Sequence, residues 1–244
     1  MINQEVLNIL NIIAENIVFF GAVFIPPLFW LWYFRFHDCA HPEPLKLLTI
    51  VFFMGSGVAL ALRGVFWFFD IPNLYIFSTI GWFGLLGKSI LFILFLAFLE
   101  EVLKFVVLRF YVYHQKDFDE RIDGVIYGVT VGLGFATLEN ILYIISYGPE
   151  VVFSRFATAT LLHALLGGIM GSFLTQNKFD KKHNCCMAIR AILLSTALHF
   201  VYNMLIVYNI SMFNGYFEVA WVFIIFVVLL YIVHRIKKRD CFSY

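Results

Sequence analysis

The chain has 244 residues, 62% of them hydrophobic and 19% aromatic, with a formal net charge of +1. This composition excludes a soluble globular domain, and the balanced charge points to no nucleic-acid or strongly acidic partner. The opening residues, MINQEVLNILNIIAEN, show no basic stretch and no small-residue cleavage site, so they read as mature chain and not as a signal peptide.

Apolar runs long enough to cross a bilayer recur along the sequence, and membrane spans are predicted near 5–35, 45–69, 76–113, 123–147, 156–176, 188–209 and 217–236. Thirteen of the 17 Lys and Arg fall in four places: Arg35 and Lys46; Arg109, Lys116 and Arg121; Lys178, Lys181, Lys182 and Arg190; and Arg235, Lys237, Lys238 and Arg239. The connections between them, around Asp70–Pro72, Gly148–Phe156 and Asn209–Phe217, together hold only Arg155. Alternate loops are therefore basic, which predicts an external N-terminus and a cytoplasmic C-terminus. The third run, about 38 residues, is nearly twice the length of one crossing yet must cross an odd number of times. Its earlier part near 74–87, with Gly81, Gly84 and Gly87, is expected to lie at the interface or to dip in and return. The expected fold is an all-α polytopic membrane bundle of about seven transmembrane helices. It forms a single integral-membrane unit over 1–244 with a motif core at 88–210.

Cys39, Cys185, Cys186 and Cys241 all fall on the side predicted to be cytoplasmic, so no disulfide is expected. The terminal CFSY resembles a prenylation signal only superficially, because Phe-Ser is not aliphatic and Tyr is an unusual last residue; it reads as an ordinary tail.

The fourth span follows the mixed-charge loop HQKDFDERID and carries Gly124, Gly128 and Gly132 every four residues; Phe135 and Glu139 stay near that stripe. In the fifth span His163, Gly167 and Gly171 repeat the spacing. Such stripes let backbones approach closely, and packing one against the other brings Glu139 towards His163. Most glycine ladders only serve packing, but packing does not explain the Glu and His at their heads.

Four of the predicted spans carry ionisable groups where lipid disfavours them: Glu100, Glu101 and Lys104; Glu139; His163; and His199. A charge at the bilayer centre costs at least about 2.5–3.5 kcal/mol on insertion scales, so such residues usually mark function. Rise per residue puts Glu100 about 18 Å from either end of its helix. Glu139, His163 and His199 lie about 12, 10 and 15 Å from the outer ends of theirs. That shared depth suits one site. Each group also has a duller reading. Lys104 is spaced i,i+4 from Glu100 and could neutralise it, which leaves Glu101 without this partner, and a lone buried His is commonly a packing residue. Arg63 and Lys88 are assigned to packing and interface anchoring.

Glu100-Glu101-Val-Leu-Lys104 forms an E-E-x-x-K motif, and Phe135-Ala-Thr-Leu-Glu139-Asn140-Ile-Leu-Tyr143 an F-x-x-x-E-N-x-x-Y motif. His163-Ala-Leu-Leu-Gly-Gly-Ile-Met-Gly171 and His199-Phe-Val-Tyr-Asn203 supply two more. Together, in this order and each in its own span, they resemble the PrsW family of intramembrane proteases, distantly related to the CAAX-prenyl endopeptidase (Abi) proteins. Residues 1–75 and 210–244 add only hydrophobicity. The resemblance implies an endopeptidase of the bacterial plasma membrane that cuts single-span membrane proteins, typically anti-sigma factors.

Hydrolysis inside a membrane needs an activated water, a donor for the oxyanion and a wet cavity shielded from lipid. Glu100 or Glu101 would serve as base, with Lys104 beside them. Glu139, His163 and His199 would make the His₂Glu ligand set of a catalytic Zn²⁺ site, and Asn203 would donate to the oxyanion. A metal-free version in which a Glu and a His activate the water stays open. So do a proton-coupled transporter or channel built on an intramembrane Glu/His relay, and a lipid amidase or esterase. No internal duplication supports the transporter.

Overall fold

The computed structural model describes residues 4–36, 42–69, 90–179, 185–207 and 216–240, the side chains of 4–16, 185, 207 and 240 excepted. These residues form eight helices and no strand: α1 (Gln4–Arg35), α2 (Leu45–Phe68), α3 (Ile90–Phe110), α4 (Arg121–Tyr147), α5 (Val151–Phe156), α6 (Ala159–Phe179), α7 (Cys185–Val207) and α8 (Tyr216–Asp240). A 3₁₀ turn at Val112–His114 follows α3. Six stretches are long and apolar enough to cross a membrane: Ile17–Arg35, Leu45–Phe68, Arg121–Tyr147, Val151–Phe179, Cys186–Ile206 and Tyr216–Arg239. The 21 residues of α3 also have the length, and its four charges, Glu100, Glu101, Lys104 and Arg109, set it apart. The result is a polytopic helical membrane bundle. The interfacial or re-entrant element expected near 74–87 lies outside the described residues.

Two helices occupy the middle. α4 starts at a capping box in which the Glu120 backbone N–H donates to Asp123 Oδ2 at 2.6 Å. It ends at Gly148, whose φ of 88° makes the turn towards α5. Between these points nearly every side chain is buried. Thr130 and Thr137 satisfy their hydroxyls locally, donating to the carbonyls of Ile126 and Leu133 at 2.7 Å. α6 runs antiparallel to it in backbone contact. A Cβ on Gly128 would meet the Gly167 carbonyl, one on Gly132 the His163 carbonyl, and one on Gly171 the Gly124 carbonyl.

α2 closes on the opposite face of α4 by the same device. A Cβ on Gly134 would strike the Phe52 carbonyl and one on Gly55 the Val131 carbonyl, while Ser56 Oγ donates to the Gly134 carbonyl at 2.7 Å. α3 and α7 pack together beside the α4–α6 pair. α1 and α8 lie outermost and expose Ile25, Leu28, Trp32, Phe223, Ile224 and Val228, as lipid-facing surfaces do.

Gly57 on α2 has nothing within 4 Å of the place where its Cβ would stand, so it is the control for this packing. Gly128→Ala should lower stability by about 1–3 kcal/mol through backbone overpacking, whereas Gly57→Ala should be neutral or stabilising by up to about 1 kcal/mol. Thermal unfolding of the two variants in detergent reads the difference, and equal Tm values would contradict the backbone contact.

Candidate active site

α3, α4, α6 and α7 bring the intramembrane Glu and His residues to one place. Glu101 is fully buried, and its Oε1 accepts from Lys104 Nζ at 2.6 Å and from His199 Nδ1 at 2.7 Å. Lys104, also fully buried, reaches on to His163 Nδ1 at 2.8 Å. Lys104 thus pairs with Glu101 at i,i+3. The i,i+4 pairing with Glu100, the duller alternative in the sequence, does not form, because the buried ammonium takes the carboxylate that also bonds His199.

Glu100 turns the other way, into a cavity of about 70 Å³, which leaves room for a few waters. Its Oε2 is buried, has no hydrogen-bond partner, and lies 3.7 Å from His199 Nε2. Glu139, His163, His199 and Asn203 line the same cavity, whereas Glu101 and Lys104 stand behind it. Ligand-capable atoms of Glu100, His163 and His199 all lie within 4.8 Å of one another. Glu139 approaches from the other side, its Oε2 3.0 Å from His163 Nε2. The imidazoles meet edge to face at 5.1 Å, and Phe135 backs His163 at 5.3 Å.

Two cavity residues carry more than their sequence reading assigned. Arg155, seen only as the lone basic residue of a sparse connection, is 8% exposed and donates from Nη2 to Glu139 Oε2 at 2.9 Å. Its signal in the sequence was that same isolation. Arg63, assigned to packing and anchoring, lines the cavity wall from α2. An intramembrane Arg facing the bundle interior is the signal that could have placed it there.

A family model described as "PrsW family intramembrane metalloprotease" matches residues 43–232. The chain belongs to the PrsW family. It is 36% identical to Protease PrsW of Bacillus subtilis (strain 168) over 162 residues, 66% of this chain and 69% of that protein. Over 224 residues it is 28% identical to Protease PrsW of Shouchella clausii (strain KSM-K16), covering 91% of this chain and 97% of that one. With Protease PrsW of Clostridioides difficile (strain 630) the identity is 25% over 229 residues, 89% of this chain and 87% of the relative. No solved structure matches the chain. As a PrsW-family member it is an intramembrane metalloprotease and an integral protein of the bacterial membrane. The family match begins at Glu43, a buried carboxylate hydrogen-bonded to Tyr127 on α4, so α2 also lies within the matched region.

Breaking the Lys104–Glu101 pair on one side strands a charge in the bundle. Lys104→Met should destabilise the protein by about 3–5 kcal/mol, and the double variant Lys104→Met, Glu101→Gln should recover part of that loss. Thermal denaturation in detergent measures both. A single variant as stable as wild type would show that the pair carries no structural weight.

Proposed function

We propose that the chain hydrolyses a peptide bond in or next to the transmembrane segment of a single-span membrane protein, an anti-sigma-factor-like substrate of the kind the family resemblance implies. The observation that carries this reading is the convergence of Glu100, Glu139, His163 and His199 on one small cavity inside the bundle. The residues fit a metal ion. Glu100 Oε2 is buried without a hydrogen bond beside two imidazoles, which is the His₂Glu donor set of catalytic zinc sites. His199 is turned with Nδ1 on Glu101 and Nε2 towards Glu100, the outer carboxylate support that metal-binding histidines use. In this reading Glu100, with His163 and His199, holds the ion. A zinc ion there would supply an acidified water and polarise the scissile carbonyl.

The chain's own residues do the rest. Glu139, the other cavity carboxylate, takes the proton that the attacking water gives up and passes it to the departing amine. Asn203 on the cavity wall donates its amide N–H to the developing oxyanion. Glu101 and Lys104 do not meet the water; they fix both imidazole rings from behind. Glu100 and Glu139 thereby exchange the roles that their sequence motifs suggested.

One contact favours a second reading. A charged Lys104 donating to His163 Nδ1 at 2.8 Å places the ring proton on Nε2, aimed at Glu139. In that metal-free arrangement Glu100, its Oε2 without a hydrogen bond, is the base and His199 its partner.

Metal analysis of purified protein alongside cleavage of a single-span substrate separates the readings. Glu100→Gln, His163→Ala and His199→Ala should each abolish turnover and strip the metal. Glu139→Gln should reduce turnover by about 10²–10⁴-fold with the metal retained. An active Glu139→Gln variant would remove its role as base, and activity in protein shown to be metal-free would remove the zinc. Orientation follows from the alternating basic loops, which put the C-terminus in the cytoplasm. The exposed Cys186 should therefore resist an impermeant thiol reagent applied outside intact cells; its labelling there would invert the topology.

A further inference from the structure

Arg155 reaches the cavity from α5, the six-residue helix between α4 and α6. Three residues of one turn of α4 receive it. Its Nη2 donates to Glu139 Oε2 at 2.9 Å, its Nε donates to Asn140 Oδ1 at 2.6 Å, and its guanidinium carbon lies 3.8 Å from the centre of the Tyr143 ring. Asn140 is oriented in turn, because its Nδ2 donates to Thr160 Oγ1 on α6 at 2.9 Å. The residue that follows Arg155 is fixed as well. Trp30 Nε1 donates to the Phe156 carbonyl at 3.0 Å, and the two rings stack at 5.5 Å.

Neutralising Glu139 would require only a positive charge nearby. This arrangement uses the planarity of the group. Two donors of one fork go to two different acceptors while the flat face lies on an aromatic ring, which a lysine ammonium cannot reproduce. Arg155 is not needed to hold α4 against α6 either, since backbone contacts at the glycines do that. We propose that Arg155 is a positioning residue for peptide hydrolysis. It fixes the direction of the Glu139 carboxylate in the cavity and makes that geometry depend on the seating of α5. The proposal rests on the reading of Glu139 as the proton acceptor.

The test uses the full-length protein in detergent and a single-span substrate. Arg155→Ala should lower kcat by about 10–100-fold, the usual effect of losing an orienting partner, with KM little changed. Millimolar guanidinium should restore part of the activity of Arg155→Ala, and ammonium at the same ionic strength should not. Arg155→Lys should stay well below wild type. Full activity in Arg155→Ala or Arg155→Lys, or equal rescue by both cations, would overturn the positioning role. If Arg155→Ala does not fold, Asn140→Ala decides with Arg155→Lys: both should lose kcat, and wild-type kcat in both overturns the proposal. Glu139→Gln in the same assay keeps the two failures apart. An active Glu139→Gln removes the underlying reading, whereas an inactive one beside a fully active Arg155→Ala overturns the positioning role alone.

Discussion

Backbone contact between α4 and α6 is the constraint on which the site depends. Helices bearing ordinary side chains pack with axes 8–10 Å apart; here a Cβ on Gly128, Gly132 or Gly171 would land on the carbonyl of the opposite helix. Contact that close permits little sliding or rotation, so the register of the two helices is fixed at several points. His163 takes part directly, since its own carbonyl is what a Cβ on Gly132 would meet. Glu139 lies about two turns further along the same stripe, and the fixed register brings its carboxylate to 3.0 Å from the His163 ring. Packing and chemistry are thus parts of one geometric solution.

Charges placed in such a bundle must find partners within it, because neither lipid nor bulk water will solvate them. The site meets this with a connected chain. Lys104 bridges Glu101 and His163, Glu101 reaches His199, and His163 reaches Glu139, which Arg155 holds from the other side. The chain links α3, α4, α5, α6 and α7 through side chains, so no member can turn without disturbing the next. Glu100 is the carboxylate whose cavity-facing oxygen lacks a hydrogen bond, and that oxygen lies 3.7 Å from His199 Nε2. A group left without hydrogen bonds at the centre of an otherwise well-connected network is where a ligand or a reacting water belongs.

The membrane bundle and the gathering of the intramembrane Glu and His groups were legible in the sequence for physical reasons. A bilayer imposes hydrophobic runs of fixed length, and ionisable groups interrupting them stand out. The stripes beginning at Gly124 and His163 likewise announced which two helices would touch. What one dimension could not supply was rotation. Glu100 and Glu101 are adjacent and about 100° apart on their helix, and only the placement of α7 decides that Glu101 faces His199 from behind while Glu100 enters the cavity. Lys104 sits within helical reach of both carboxylates, and the imidazoles fix its choice of Glu101. Arg155 escaped because its partners lie across a turn, 15 and 16 positions back in the chain, and no local period connects them.

Cleaving a peptide bond within a membrane sets two demands against each other: water must reach the bond, yet the bundle must stay sealed against lipid. The structure separates them by depth and by residue type. The wall of the cavity combines Ala59, Leu62, Phe66 and Leu96 with Glu100, Glu139, His163 and His199. Its polar groups therefore surround a volume suited to a few waters and no more. Behind them, Glu101 and Lys104 are fully buried and hydrogen-bonded to His199 and His163. A larger cavity would admit water more freely but would loosen the packing around the two imidazoles. The small volume and the rigid α4–α6 contact are then the same adaptation, because a site this narrow works only while its helices hold their register.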